Sequence, residues 1–110
     1  MAIPAVAYLT TAELAPAAAL FRSLGDVTRL AILRRLACGP ARVTDLVGEV
    51  GLAQSTVSKH LACLNDCGLV ESEPLGRASL FRLVQPAVVD LLAGAEAVLT
   101  ATGHAVAVCP

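Results

Sequence analysis

Two cysteines four positions apart, Cys63 and Cys67 in the stretch KHLACLNDC, are the residues whose type and spacing suggest chemistry most directly. On an α-helix, residues i and i+4 have Cβ atoms about 5–6 Å apart, so both sulfurs can converge on one ion without rearranging the backbone. Two thiolates do not complete the shell of a structural zinc, which usually takes four ligands, and no second cysteine or histidine pair supplies the rest. A third thiolate is available at Cys109, in a segment TGHAVAVCP long enough to fold back or to reach across a dimer. Three thiolates suit large thiophilic ions such as Cd(II), Pb(II), Hg(II) or As(III), which accept three-coordination more readily than zinc. The same pair could instead cycle through a disulfide, or be two small hydrophobes. Cys38 closes a helical stretch and reads as packed rather than liganding, and His104 accompanies the tail.

Turning residues 54–67 at about 100° per position separates three faces. Val57, Leu61 and Leu64 fall together as a core face. Ser55, Ser58, Lys59 and Ala62 make a small, hydrogen-bonding, partly basic surface. Thr56, His60, Cys63 and Cys67 form a third stripe about 100° round from the core centre, which puts the cysteines off the core face.

The surrounding elements must hold that helix. Thr10 or Thr11 can cap a first helix through AELAPAAALFRSL, although Pro16 argues against a single straight one. Gly25 breaks it. Asp26 is a good N-cap for VTRLAILRRLAC, with Val27, Leu30, Leu33, Leu36 and Ala37 as its apolar face and Gly39-Pro40 as its stop. TDLVGEVG reads as a short third helix capped by Thr44 and closed by Gly51. A fourth helix, QSTVSKHLACLNDC, ends at Gly68 in the position suited to a left-handed C′ residue. Two β-like runs follow, LVESE and ASLFRLV, joined by PLGR as a hairpin, and Pro86 opens a last helix, AVVDLLAGAEAVLTA.

Two short helices joined by a Gly-containing turn, then a hairpin, predict a winged helix-turn-helix: mainly α, five helices, one small β-hairpin. In that reading the polar face of the fourth helix enters a major groove about 12 Å wide. Gln54 and Ser58 reach base edges or nearby phosphates, and Ser55, Thr56 and Lys59 reach phosphates. Arg77 contacts DNA from the hairpin tip with Arg82 assisting, and His60 is either a metal ligand or a DNA-facing polar group.

The 110 residues suit one domain, read as 1–102 for DNA binding and dimerisation and 103–110 as a tail carrying a ligand. Hydrophobic residues make up 56% of the chain, with only three aromatics, so the core is built from Leu, Val, Ala and Ile. The apolar surplus in the terminal segments predicts a homodimer through the first and last helices. A formal net charge of −1 gives no global basic excess, so the DNA reading rests on local arrangement. Neither a signal peptide nor a membrane span is evident, which predicts a cytoplasmic protein with reduced thiols.

The segments FRSLGDVTRLAILRRL and TDLVGEVGLAQSTVSKHLACLNDCGLVESEPLGRASLFRL resemble the ArsR/SmtB family of metal-sensing repressors over roughly residues 18–100. Within that family the cysteine pair just before Gly-Leu-Val is similar to the Cd(II)/Pb(II)-sensing branch, which also carries a cysteine in its C-terminal tail. The resemblance implies a winged-helix homodimer that represses from an operator and leaves it when metal binds Cys63, Cys67 and Cys109. Third-helix cysteines and the last-helix Asp/His set used by other sensors of the family are lacking, so the resemblance also implies a site on the fourth helix. A thiol redox-sensing repressor, or an Hg(II)/As(III) sensor of the same fold, is the alternative; no enzymatic constellation is evident.

Overall fold

The computed structural model describes residues 10–103, and Cys109 and His104 lie outside them. The chain runs α1 (Thr11–Leu24), α2 (Val27–Ala37), β1 (Ala41–Arg42), α3 (Val43–Val50), α4 (Gln54–Asp66), β2 (Val70–Leu75), β3 (Ala78–Leu83) and α5 (Ala87–Thr102). The five helices and the hairpin therefore stand where the sequence puts them.

Local chemistry accounts for most boundaries. Thr10 opens α1 with a reciprocal capping box, its hydroxyl accepting from Glu13 N and Glu13 accepting from Thr10 N, both at 3.2 Å. As the sequence reading has it, α1 is one helix, and it passes through Pro16. The carbonyl left without an amide belongs to Ala12, an exposed residue that water can serve. Asp26 caps α2 as expected, accepting from Arg29 N at 3.0 Å. For α3 the expected cap Thr44 is displaced: the N-cap lies two residues earlier, at Arg42, with Asp45 accepting from Arg42 N at 3.0 Å.

The buried core is Leu24, Ile32, Leu33, Leu36, Ala41, Leu46, Val57, Leu61, Leu64, Leu69, Val70 and Val88. The α4 core face is as expected, whereas α2 turns differently. Ile32, Leu33 and Leu36 go inward, Val27 is 85% exposed, and Ala37 is exposed.

The sheet holds one strand more than the expected hairpin. Its order is β1-β3-β2, all antiparallel, with Ala41 opposite Phe81 and Val70 opposite Leu83. A two-residue strand carries too little pattern to be seen in sequence. The PLGR loop also shrinks, since Pro74 and Leu75 belong to β2 and the turn is Gly76-Arg77 alone. Pro74 is tolerated because β2 is an edge strand, and Gly76 supplies the positive φ of 62° that a two-residue hairpin turn needs.

Candidate metal-responsive nucleic-acid interface

Helix α4 carries nearly every residue singled out. Val57, Leu61 and Leu64 are at most 1% exposed and fix its rotation about its axis. That rotation leaves Gln54, Ser55, Ser58, Lys59 and Ala62 exposed and Thr56, His60 and Cys63 half-buried, with Cys67 exposed at the C-cap. The cysteines are thus off the core face.

Both ends of α4 matter. At its start the N-cap is Ala53, with no side-chain cap hydrogen bond. The hydroxyls of Ser55 and Thr56 are therefore not spent on capping, and the first-turn amides face outward as an anion-binding end. At its far end a Schellman motif closes the helix: Leu69 N donates to Leu64 O and Gly68 N to Asn65 O, both at 3.0 Å, with Gly68 at φ 75°. Cys67 N donates to Cys63 O at 3.0 Å, so the two cysteines sit on one intact helical turn.

Two clefts flank the start of α4. One of about 310 Å³ brings Gln54 beside Arg77 and Ser79 of the hairpin, Arg42 at the end of β1 and Thr44 of α3. The other, about 650 Å³, is lined by Arg29, Ser55, Thr56, Lys59, His60 and Cys63. Arg42 and Arg29 were not singled out by sequence, and Thr44 only as a helix cap, since they come from other elements and only folding sets them beside α4. Arg77 sits in the hairpin turn as expected. Arg82 is paired instead: its guanidinium is held across the hairpin by Glu73, with Glu71 at 3.9 Å. The strand carboxylates absorb that cation and leave Arg77 as the basic group of the turn.

His60 turns to α2 rather than to solvent. Arg29 Nε donates to His60 Nδ1 at 3.2 Å, and His60 Nε2 stands 4.0 Å from Asp26 Oδ1. The backbone amide of Arg29, above all, holds the Asp26 carboxyl below its usual range, with the Arg29 charge adding to it. Cys67 Sγ lies 3.2 Å from Ser23 Oγ on α1. Cys38, expected to be packed, is exposed at the α2 C-cap, where its thiol reaches only the Arg34 carbonyl at 3.7 Å.

Among the described residues no three Cys, His, Asp or Glu side chains gather into a metal-binding cluster. The donor chemistry of Cys63 and Cys67 fits a soft ion, and an ion held there would take its further ligands from groups outside the described residues or from a second chain.

Helix-turn-helix, hairpin wing and an outward-facing α4 define a winged helix-turn-helix regulator. The family model described as "Bacterial regulatory protein, arsR family" matches residues 26–72. A probable mercury resistance operon repressor of Streptomyces lividans is 38% identical over 72 residues, 66% of this chain and 58% of that protein. The regulator CmtR of Mycobacterium bovis is 42% identical over 66 residues, 60% of this chain and 56% of its own. The match thus spans less than two thirds of the length of these curated relatives. Among solved structures, the antimony-specific transcriptional repressor AntR superposes with a TM-score of 0.74 at 32% identity, covering 86% of each chain. A homodimeric winged helix-turn-helix DNA-binding domain from Mycobacterium bovis superposes at 0.72 with 30% identity, covering 81% of this chain and 82% of that one. The chain belongs to the arsR family of regulatory proteins.

Proposed function

We propose that this chain is a metal-responsive transcriptional repressor. It binds operator DNA as a homodimer through Gln54, Ser55, Thr56, Ser58, Lys59 and Arg77, and releases it when a thiophilic ion is held by Cys63, Cys67 and Cys109. Cd(II) or Pb(II) is the expected effector, with Hg(II) or As(III) as the alternative. The observation that carries this reading is the placement of Cys63 and Cys67 on one turn of α4, off the core, with Cys63 in the same cleft as Lys59.

The ion, when bound, supplies a strong soft-ligand bond that pulls thiolates together. The chain does the rest. The uncapped start of α4 and its hydroxyls receive phosphates, Lys59 and Arg77 add charge, and the Schellman turn makes α4 rigid enough to carry a displacement at Cys67 to its first turn. A disulfide between Cys63 and Cys67 fits less well. Helical i, i+4 Cβ atoms stand about 5–6 Å apart, whereas a disulfide wants roughly 3.5–4.5 Å and would unwind the turn.

The partner surface is α1 with α5. Phe21 is 59% exposed, Leu14 40%, Val89 41% and Val98 55%. A cleft of about 620 Å³ between the two helices is lined by Phe21, Leu24, Leu30, Leu91, Leu92 and Val98 among others. No described helix is long and apolar enough to cross a membrane. The reading places the protein in the cytoplasm as a regulator rather than an enzyme, with residues 1–102 as one domain and 103–110 as its ligand-bearing tail.

The test is operator binding with and without Cd(II), Pb(II), Hg(II), As(III) and Zn(II), repeated for Cys63→Ser, Cys67→Ser and Cys109→Ser. Metal-induced release lost in all three supports the three-thiolate site. Normal release in every variant places sensing elsewhere.

A further inference from the structure

A closed ring of polar contacts runs along the cysteine stripe of α4. At the helix end, Cys67 Sγ meets Ser23 Oγ at 3.2 Å. Ser23 is the penultimate residue of α1, and its carbonyl accepts from Arg29 Nη1 at 3.3 Å. The same guanidinium donates through Nε to His60 Nδ1 at 3.2 Å, which returns the ring to α4 one turn before Cys63 and next to Lys59. Arg29 is therefore shared between the helix that carries Cys67's hydroxyl partner and the middle of α4. Its planar fork fixes the relative position of the two acceptors, which a flexible ammonium would not do.

We propose that Arg29 is a positioning residue that couples the state of the Cys63/Cys67 pair to the DNA-facing turn of α4, through Ser23 on one side and His60 on the other. The proposal rests on the metal-responsive reading above and goes beyond it by assigning the route. The Cys67 Sγ–Ser23 Oγ contact ties that sulfur to the end of α1, whichever of the two atoms donates. Drawing Cys67 toward an ion therefore displaces the Ser23 end of α1 with it. Arg29 passes the shift to His60 because both of its contacts lie on one rigid plane. Thr56 and Lys59, which line the same cleft as Arg29 and His60, then change their presentation to the phosphate backbone.

The variants separate the arms. Arg29→Gln shortens the fork but leaves the Asp26 cap intact, since that bond uses the Arg29 backbone amide. Ser23→Ala removes the Cys67 contact and keeps the carbonyl that Arg29 uses. The experiment measures affinity for a duplex recovered by iterative selection on the metal-free wild type, with and without Cd(II), alongside the ultraviolet thiolate-to-Cd(II) absorption and the thermal midpoint. The wild type is expected to lose affinity by a factor of about 5 to 150 on Cd(II) addition. Each variant is expected to keep the absorption band and lose most of that factor. A purely structural contact would lower the thermal midpoint or weaken both metal states equally. A ratio unchanged in both variants beside a responsive wild type therefore overturns the proposal alone. A wild type with no absorption band, or with no release, overturns the metal-responsive reading and the proposal together. Should Arg29→Gln fail to fold, Ser23→Ala decides.

Discussion

Arg29 Nε and His60 Nδ1 stand 3.2 Å apart, and this contact fastens the first turn of α2 to the middle of α4. His60 lies between Lys59 and the core residue Leu61, so the position of the DNA-facing cation depends on an element that never touches DNA in the proposed complex. The same side chain of Arg29 reaches back to α1, whose exposed apolar residues face the proposed partner subunit. Sulfur site, recognition surface and dimer helix thus meet around one guanidinium.

In the proposed complex, Lys59→Ala and Arg77→Ala each remove one phosphate contact. Operator affinity should fall for every sequence alike, and the slope of log affinity against log salt should become shallower by about 1 per variant, as counterion release requires. Fluorescence anisotropy over a salt series measures both. An unchanged slope for both variants would remove these residues from the interface.

Leu64→Ala opens a cavity beneath the cysteine turn, since Leu64 is fully buried and its carbonyl anchors the Schellman motif. The expected loss is about 2–5 kcal/mol in urea denaturation, a large share of the roughly 5–15 kcal/mol typical of a whole domain. Ala62→Ser, on the exposed face, should leave the midpoint within about 0.5 kcal/mol of wild type.

Asp26 and Asp45 both have carboxyls held below the usual aspartate range, first by hydrogen bonds from the Arg29 and Arg42 backbone amides respectively. A depressed folded-state value means these caps contribute fully above the unfolded value and lose their contribution as pH falls through the lower folded one. Thermal midpoints should therefore be flat above about pH 5 from this source and drop below about pH 4. Asp26→Asn keeps an acceptor at the cap and should show a shallower acid drop; an identical drop would exclude Asp26 as a contributor.

Phe21→Glu places a charge on the α1–α5 apolar surface. Sedimentation should show a shift from dimer to monomer and a loss of operator binding with little change in far-ultraviolet circular dichroism. Retention of the dimer would move the interface elsewhere.

Much of this was legible in the sequence because it is local. The spacing of Val57, Leu61 and Leu64 fixed the rotation of α4 and hence the outward stripe of Cys63 and Cys67, and Asp26, Gly51 and Gly68 marked helix ends by their own chemistry. The features that escaped are made by distance in the chain. β1 is two residues paired to a strand forty positions away, Ala41 to Phe81. Arg82 looked free until the register placed Glu71 opposite it. Val27 fits the helical period but lands on the exposed side, while Ile32 is fully buried. Arg29 and Ser23 gave no signal at all, since their importance lies in partners thirty-one and forty-four residues further along.

The central claim is that paired sulfurs on α4 read the metal. The direct measurement is Cd(II) titration of the preformed operator complex for wild type and for the Cys63→Ser, Cys67→Ser double variant, followed by anisotropy. Release by wild type at stoichiometric Cd(II), with the double variant still bound, is the predicted result. Release of both at the same Cd(II) concentration would contradict it.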